Sequence, residues 1–398
     1  MGKDRLWTKD FLIVASANFF LFLSFYLLMV TISVFAVDEF GASQSTAGLA
    51  SSIFIIGVLI ARLYAGPSIE KIGRKKLLYI GLILSVITAL LYFAVNGIVF
   101  LLINRFLHGV AFGLASTATG TIVANLIPDS RRGEGTGYYS MSVTLATAIG
   151  PFLGLFLSQH TSFSTIFITT AIFAIFSFVV SFFLKVPKST LTKEQIQEMK
   201  GFKFSNLLEP KAVPISVISA ITGFCYASVL SFLTFYAKEI HLVEAASFFF
   251  IVYAVFILAS RPFTGRWFDL KGANTVMYPS LFLFGIGMLM ISQAHHGTIL
   301  LAAGALIGLG YGTVQSISQA ISVKVSPPHR IGLATSTFFI FTDLGIGVGP
   351  FLLGFLVPIT GFRSMYVMIG IVVFACLFLY YFLHGRKAAS AKRMAQAS

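Results

Sequence analysis

Two charged residues of this chain lie inside long apolar segments, where a charge is costly to bury. Arg105 and Asp343 each fall well within a stretch long enough to cross a membrane. A charge at the bilayer centre costs about 3 kcal/mol or more unless it is paired or faces a wet cavity, so both residues are functional candidates. A carboxyl there can exchange a proton or contact a cationic substrate, and a nearby guanidinium can tune the proton site. The structural alternatives are an Asp343 hydrogen-bonded to neighbouring hydroxyls and an Arg105 that extends to the outer interface.

Composition predicts the elements that hold these residues. Hydrophobic residues make up 57% of the 398 residues and charged residues 11%, which excludes a soluble globular protein. Apolar stretches of about 20 residues, the length that crosses a hydrocarbon core, recur along the chain. The sequence predicts twelve transmembrane helices, at 12–36, 46–66, 77–97, 98–123, 135–158, 161–186, 212–237, 245–265, 275–295, 298–322, 332–357 and 360–384.

The second half of the chain repeats the first at an offset of 199 residues, half of its 398. The repeated pairs include Arg62 and Arg261, Gly66 and Gly265, Glu70 and Asp269, Gly73 and Gly272, Gly150 and Gly349, and Pro151 and Pro350. We therefore predict an N-terminal six-helix bundle at 1–186 and a C-terminal six-helix bundle at 212–384. A cytoplasmic linker at 187–211, with a short surface helix after Thr192, joins them, and a basic, disordered cytoplasmic tail follows at 385–398.

The distribution of Lys and Arg predicts the orientation. These residues are concentrated in the termini and in the loops after the even-numbered spans, whereas the opposite loops hold only Lys238 and Arg363. Because basic loops stay on the cytoplasmic side, we expect both termini in the cytoplasm, and we expect the plasma membrane of a bacterium. The same bias accounts for most of the net charge of +14, so nucleic acid is not an expected partner. Cys225 and Cys376 lie inside spans, so neither a disulfide nor a Cys-based metal site is indicated.

The loop after span 2 reads Gly66-Pro-Ser-Ile-Glu70-Lys-Ile-Gly73-Arg74 and resembles the signature loop of the major facilitator superfamily. Glycines permit a sharp reversal and a close helix approach, and a carboxylate can accept bonds from a helix N-terminus. The resemblance implies that Glu70, with Arg62 and Arg74 nearby, docks on the start of span 11 and closes the cytoplasmic side.

The second copy of this loop has Arg261 and Asp269 at the equivalent positions. It carries Ala273 and Asn274 where the first copy has Arg74 and Lys75. We therefore expect a second gating latch at Asp269 that is weaker than the first.

Two further segments resemble motifs of proton-coupled drug antiporters in that superfamily. Span 4 contains Arg105-Phe-Leu-His108-Gly, similar to Arg-x-x-Gln-Gly with His108 in place of Gln, and the resemblance adds His108 to the proton-coupling candidates. Span 5 contains Ala146-x-x-x-Gly150-Pro151-Phe-Leu-Gly154, close to the pattern of exporters. Small residues four apart let helices pack closely and Pro bends a helix; span 11 repeats the segment around Gly349 and Pro350.

Aromatic and amide side chains predict the substrate cavity. Phe25 and Tyr26 lie on span 1 and Tyr226 on span 7, while Gln315 and Gln319 share one face of span 10 at i and i+4. As a set they favour an amphiphilic substrate held by stacking and a few hydrogen bonds, although most aromatic residues in such a chain face lipid or pack helices.

The sequence therefore indicates an all-α integral membrane protein of two six-helix bundles that exports small hydrophobic compounds by alternating access. We expect a monomer driven by a proton gradient, without a cofactor or a metal. Such antiporters often carry an acid in span 1, but here that span offers only polar residues such as Asn18, which leaves Asp343 as the residue to test. The alternative is an uptake or facilitative carrier of a polar metabolite. A membrane enzyme is disfavoured because no nucleophile cluster, metal shell or phosphate-binding loop is present.

Arg105 and Asp343 also mark differences between the two copies. Arg105 aligns with Gly304, and Asp343 aligns with Thr144. We expect the transport chemistry at these two unmatched charges.

Overall fold

The computed structural model describes residues 5–42, 44–186 and 207–388. Within these ranges, twelve helices are long and apolar enough to cross a membrane. This confirms the predicted number and order of spans. The predicted linker, apart from its last five residues at 207–211, and most of the predicted basic tail lie outside the described residues.

The first half of the chain forms six helices. They are α1 (Lys9–Phe40), α2 (Gln44–Ile72), α3 (Arg74–Leu91), α4 (Ile98–Leu126), α5 (Arg132–His160) and α6 (Phe163–Phe182). Thr8 caps α1 by accepting a hydrogen bond from the Phe11 backbone N–H at 3.2 Å. Most helices extend beyond the predicted spans because hydropathy detects only the part of a helix that matches the hydrocarbon core.

The second half forms the corresponding six. They are α7 (Val213–Glu239), α8 (Val243–Lys271), α9 (Ala273–Ser292), α10 (Gly297–Lys324), α11 (331–360) and α12 (362–380). Gly361, with φ of 74°, separates α11 from α12. The helical backbone of α5 continues through Pro151, and that of α11 continues through Pro350.

Each copy of the signature loop turns at a glycine in the left-handed region. Gly73 has φ of 95° and Gly272 has φ of 88°. L-residues rarely adopt these values, so the sharp reversal predicted from the sequence requires glycine in both copies.

The chain divides into two compact units. Unit 1 comprises Met1–Pro128, Tyr139–Glu209 and Pro327–Thr337, and unit 2 comprises Asp129–Tyr138, Pro210–Ser326 and Phe338–Ser398. The first two turns of α5 therefore belong to unit 2, and the first two turns of α11 belong to unit 1.

Within unit 1, α2 and α4 approach each other through glycines. A Cβ on Gly109 would collide with the Phe54 carbonyl oxygen, and a Cβ on Gly57 would collide with that of Phe106. Unit 2 repeats the first contact between α10 and α8, where a Cβ on Gly308 would lie 2.5 Å from the Tyr253 carbonyl oxygen. The duplication seen in the sequence thus extends to individual helix contacts.

Candidate functional site

Arg105 of α4 lies in the interior of unit 1. Its side chain has no exposed surface. Nε donates to the Ala50 carbonyl at 2.9 Å, Nη1 donates to the Tyr92 hydroxyl at 3.4 Å, and the guanidinium lies 4.6 Å from the Phe54 ring centroid. Its zero exposure places this arginine in packed protein and not against an open cavity. A backbone carbonyl, a phenol and a ring face together compensate for its burial.

Tyr92 connects Arg105 to His108. The Tyr92 hydroxyl lies 3.2 Å from Nδ1 of His108, whose ring meets Phe54 edge-on at 5.6 Å. A hydroxyl that accepts a bond from a guanidinium keeps its own proton to donate, which fits an unprotonated Nδ1 on His108. Tyr92 could not be predicted from the sequence, because it lies in the short turn after α3 and outside any motif.

A second polar cluster of unit 1 surrounds Asn18 of α1. Its Nδ2 donates to the Ser142 hydroxyl at 2.9 Å, and its Oδ1 accepts from the Thr119 hydroxyl at 2.9 Å. The Tyr139 hydroxyl in turn donates to Thr119 at 3.0 Å. These bonds hold the Asn18 amide between α4 and α5. Asn18 belongs to α1, the helix in which related antiporters often carry an acid.

The aromatic residues predicted on α1 pack inside unit 1. The ring of Phe25 stacks on Phe54 at 4.9 Å and lies 5.1 Å from Phe112. Tyr26 lies beside Gly150 of α5, where an added Cβ would come within 2.6 Å of the Tyr26 side chain. Gly154 similarly lies against the Leu27 carbonyl oxygen, at 2.8 Å from the added Cβ.

The equivalent helices of unit 2, α11 and α7, pack together in the same way. A Cβ on Gly345 would collide with the Ala220 carbonyl oxygen, and one on Gly349 would lie 2.6 Å from the Ala227 side chain. The small residues of α5 and α11 thus allow close contact with α1 and α7, as the spacing predicted. Gly354 has open space around it.

A chain of hydrogen bonds runs through unit 2 and ends next to Asp343. Gln315 donates from Nε2 to the Tyr311 hydroxyl at 2.9 Å and accepts at Oε1 from Ser219 at 2.7 Å. The Ser219 hydroxyl lies 3.0 Å from that of Thr342, the residue before Asp343 on α11. Asp343 is partly buried. The structure therefore connects Gln315 to Thr342, the residue that precedes Asp343 along α11.

Three tyrosines form a stack beside this chain. The Tyr226 ring lies 4.1 Å from Tyr311 and 5.4 Å from Tyr253, at interplanar angles of 17° and 19°. Tyr253 and Tyr311 occupy the positions equivalent to Phe54 and Phe112. Unit 2 therefore carries hydroxyls where unit 1 carries only hydrocarbon. Gln319, one turn beyond Gln315, is buried.

Asp269 docks directly on the start of α5, within unit 2. Its two carboxylate oxygens accept the backbone N–H groups of Gly133 at 2.7 Å and Glu134 at 3.0 Å. Gly265, one turn earlier on α8, lies against the same turn, since an added Cβ would lie 2.5 Å from Cα of Glu134. A carboxylate at a helix N-terminus satisfies amides that lack partners and complements the helix dipole.

Glu70 lies beside the start of α11, within unit 1, but its bonds differ. Oε1 lies 2.9 Å from both Nε and Nη2 of Arg74, while the buried Oε2 has no hydrogen-bond partner. Oε1 is 3.7 Å from the position a Cβ would take on Gly332. The start of α11 is held instead by Ser336, whose hydroxyl donates to the Arg62 carbonyl at 2.5 Å and whose Cβ lies 2.6 Å from an added Cβ on Gly66.

The two latches therefore bond to different partners, Asp269 to backbone N–H groups of α5 and Glu70 to Arg74, and a weaker second latch stays a prediction. That prediction rests on the loss of two cations, one of them at Asn274. Asn274 donates to the Gly385 carbonyl at 2.8 Å, just as Lys75 donates to the Leu184 carbonyl at 2.7 Å. The neutral amide of Asn274 thus donates a hydrogen bond just beyond α12, as the Lys75 ammonium does just beyond α6.

Arg261 lies in the interior of unit 2. It is 2% exposed and donates to the Ser316 hydroxyl and, at 3.3 Å, to the Gly312 carbonyl of α10. Among the described residues, no group of three or more His, Cys, Asp or Glu could hold a metal ion. Cys225 and Cys376 are buried free thiols.

Apolar helices long enough to cross a membrane, with buried polar chains inside each unit, are typical of integral membrane transporters. The family model described as Major Facilitator Superfamily matches residues 14–251 and 242–397, and the chain belongs to this superfamily.

Relatives with named activities are about a quarter identical to this chain. The staphylopine export protein of Staphylococcus aureus is 23% identical over 86% of this chain and 88% of its own length. The multi-drug resistance efflux pump PmrA of Streptococcus pneumoniae is 25% identical over 94% of this chain and 95% of its own. The crystal structure of the human organic anion transporter MFSD10 (TETRAN) superposes with a TM-score of 0.73 at 15% identity, covering 93% of this chain and 98% of that one. This likeness confirms the predicted fold.

Proposed function

We propose that this protein is a proton-driven exporter of small amphiphilic compounds, acting by alternating access in the plasma membrane with both termini in the cytoplasm. Relatives named as an export protein and an efflux pump, at 23% and 25% identity, support export. The concentration of Lys and Arg in the loops after even-numbered helices supports the orientation.

The observation that carries the proposal is the position of Asp343. It follows Thr342, whose hydroxyl meets Ser219, which in turn bonds to Gln315. A partly buried carboxyl within an apolar helix can bind a proton or the polar part of a substrate. Exchange between these two occupants couples proton entry to substrate exit.

Asp269 and Glu70 serve as latches in this scheme. Each lies beside the first turns of a helix, α5 for Asp269 and α11 for Glu70. Release of these contacts would accompany opening of the cytoplasmic side. Arg105 contributes a buried, fixed charge, His108 is linked to it through the Tyr92 hydroxyl, and neither residue contacts the substrate.

Proteoliposomes with an acidic lumen test the coupling. Wild-type protein should accumulate an aromatic cation such as ethidium in the lumen while protons leave, and collapse of the gradient should stop accumulation. Asp343→Asn should still exchange labelled for unlabelled ethidium across the membrane but should no longer accumulate it. Glu244→Gln, which removes an exposed carboxylate at the start of α8, is the matched control and should behave as wild type.

Two results would contradict the proposal. An Asp343→Asn protein that accumulates substrate as well as wild type excludes Asp343 as the coupling residue. Substrate movement in the same direction as protons excludes export and favours the uptake alternative.

A further inference from the structure

One turn of α10 differs in kind from its counterpart in α4. Residues Gly308–Gly312 form a π-helical turn, whereas the equivalent residues 109–113 lie in the uninterrupted α-helix of α4. A π turn accommodates one residue more than the α-helix it interrupts, and such turns are frequent at functional sites. Because the two copies align here without a gap, the sequence alone gives no sign of it.

Close packing on two sides holds this turn. A Cβ on Gly308 would lie 2.5 Å from the Tyr253 carbonyl oxygen, and one on Gly310 would lie 2.5 Å from the Phe284 backbone nitrogen. The buried Arg261 donates to the Gly312 carbonyl. Arg261 therefore contacts the last residue of the π turn.

The π turn carries Tyr311, and Tyr311 fixes the orientation of Gln315. The Gln315 amide is held on one side by the Tyr311 hydroxyl at 2.9 Å and on the other by Ser219 at 2.7 Å. A primary amide has two N–H donors and two acceptor lone pairs. Gln315 therefore keeps one donor and one acceptor for a further partner, and its side chain is partly exposed. The first copy has Phe112 and Ser116 at the corresponding positions, so it offers no such amide.

We propose that Gln315 is the specificity-determining residue for substrates that carry a hydrogen-bonding group on an aromatic frame. The π turn, braced by Arg261, presents Tyr311 as the positioning residue for the Gln315 amide. The inference rests on the proposed export function. It implies that the fold does not need the π turn but that substrate recognition does.

Two aromatic cations separate recognition from general loss of transport. Ethidium carries aromatic amines, whereas tetraphenylphosphonium has no hydrogen-bonding group. Gln315→Met and Tyr311→Phe should raise the KM for ethidium about tenfold, equivalent to about 1.4 kcal/mol, and should leave the KM for tetraphenylphosphonium within about twofold of wild type. Arg261→Met should produce the same selective shift. Gln293→Met, at an exposed amide after α9, should change neither value.

Deletion of single residues tests the turn first through folding. Removal of Leu309 should convert the π turn to α-helix and leave the helix on both sides in place, so the protein should be recovered from membranes as a monodisperse, folded species. Removal of Val110 from the regular α4 should rotate everything beyond it by about 100° and prevent folding. Folded protein lacking Leu309 should show the same selective rise in the KM for ethidium.

Three outcomes contradict this inference: equal shifts for both cations, an unchanged KM for ethidium in the folded variants, or loss of the Leu309-deleted protein to the same extent as the Val110-deleted one. A wild-type protein that transports neither cation contradicts the proposed export function instead, and the deletion pair still reports on the turn.

Discussion

Replacing Asp269 with asparagine should release the first turns of α5. In the native protein the carboxylate accepts two backbone N–H groups, from Gly133 at 2.7 Å and Glu134 at 3.0 Å. Asparagine keeps one acceptor oxygen but places an amide N–H against the second donor. The variant therefore loses one bond to a charged group, worth about 1.5–3 kcal/mol, and the interaction of the charge with the helix N-terminus, worth about 0.3–1 kcal/mol.

A loss of about 2–4 kcal/mol corresponds to a rise of about 30- to 1,000-fold in the population that has the turn open. Hydrogen–deuterium exchange of peptides covering 129–138 measures this population directly, because Gly133 and Glu134 are among the amides that the carboxylate protects. Exchange in these peptides should accelerate by that factor, while the apolar middle of α5 should be unaffected.

Glu70→Gln is the matched control. Its carboxylate bonds to Arg74, within unit 1, so exchange at 129–138 should stay as in wild type. Unchanged exchange in Asp269→Asn, or equal acceleration in both variants, would refute the assignment of Asp269 as the cap of α5.

Three further predictions concern stability. Each can be tested by thermal unfolding, followed with a dye that reacts with the native thiols Cys225 and Cys376 when they become exposed. Gly345→Ala should destabilise the protein by about 1–3 kcal/mol, because the added Cβ overpacks against α7. Gly354→Ala on the same helix should be neutral or slightly stabilising, because its added Cβ meets no atom within 4 Å. Equal effects of the two substitutions would contradict close packing at Gly345. Tyr92→Phe should cost about 1–3 kcal/mol because it leaves a buried guanidinium and imidazole without their shared hydroxyl, and a wild-type melting temperature would refute that link. Glu209→Gln should lower the melting temperature by weakening the 2.5 Å ion pair with Arg330, and an unchanged value would show that the pair does not stabilise the start of α11.

Hydrophobicity and the repeat predicted the helices because both depend on properties that a sequence displays directly. The length of each apolar stretch fixes a span, and glycines such as Gly73 and Gly150 mark places where the backbone must turn or approach another helix. Their positions in the structure agree with those expectations.

The polar interior could not be predicted in the same way, because it depends on which side chains meet in three dimensions. Tyr92 lies in the turn after α3, yet its hydroxyl connects Arg105 and His108 of α4. The backbone N–H groups that Asp269 accepts lie 135 and 136 positions away in the chain. The π turn at Gly308–Gly312 is less visible still, since its counterpart in α4 has the same number of residues and glycines at the same ends. Its glycines pack closely on α8 and α9, and those contacts appear only in the folded structure.

The division of α5 and α11 between the two compact units bears on how such a chain could have arisen. Residues 1–186 lack the turns at Pro327–Thr337 that complete unit 1, and residues 212–384 lack the turns at Asp129–Tyr138 that complete unit 2. A half-length ancestor with the same contacts could have completed either unit only by borrowing two helical turns from a second chain.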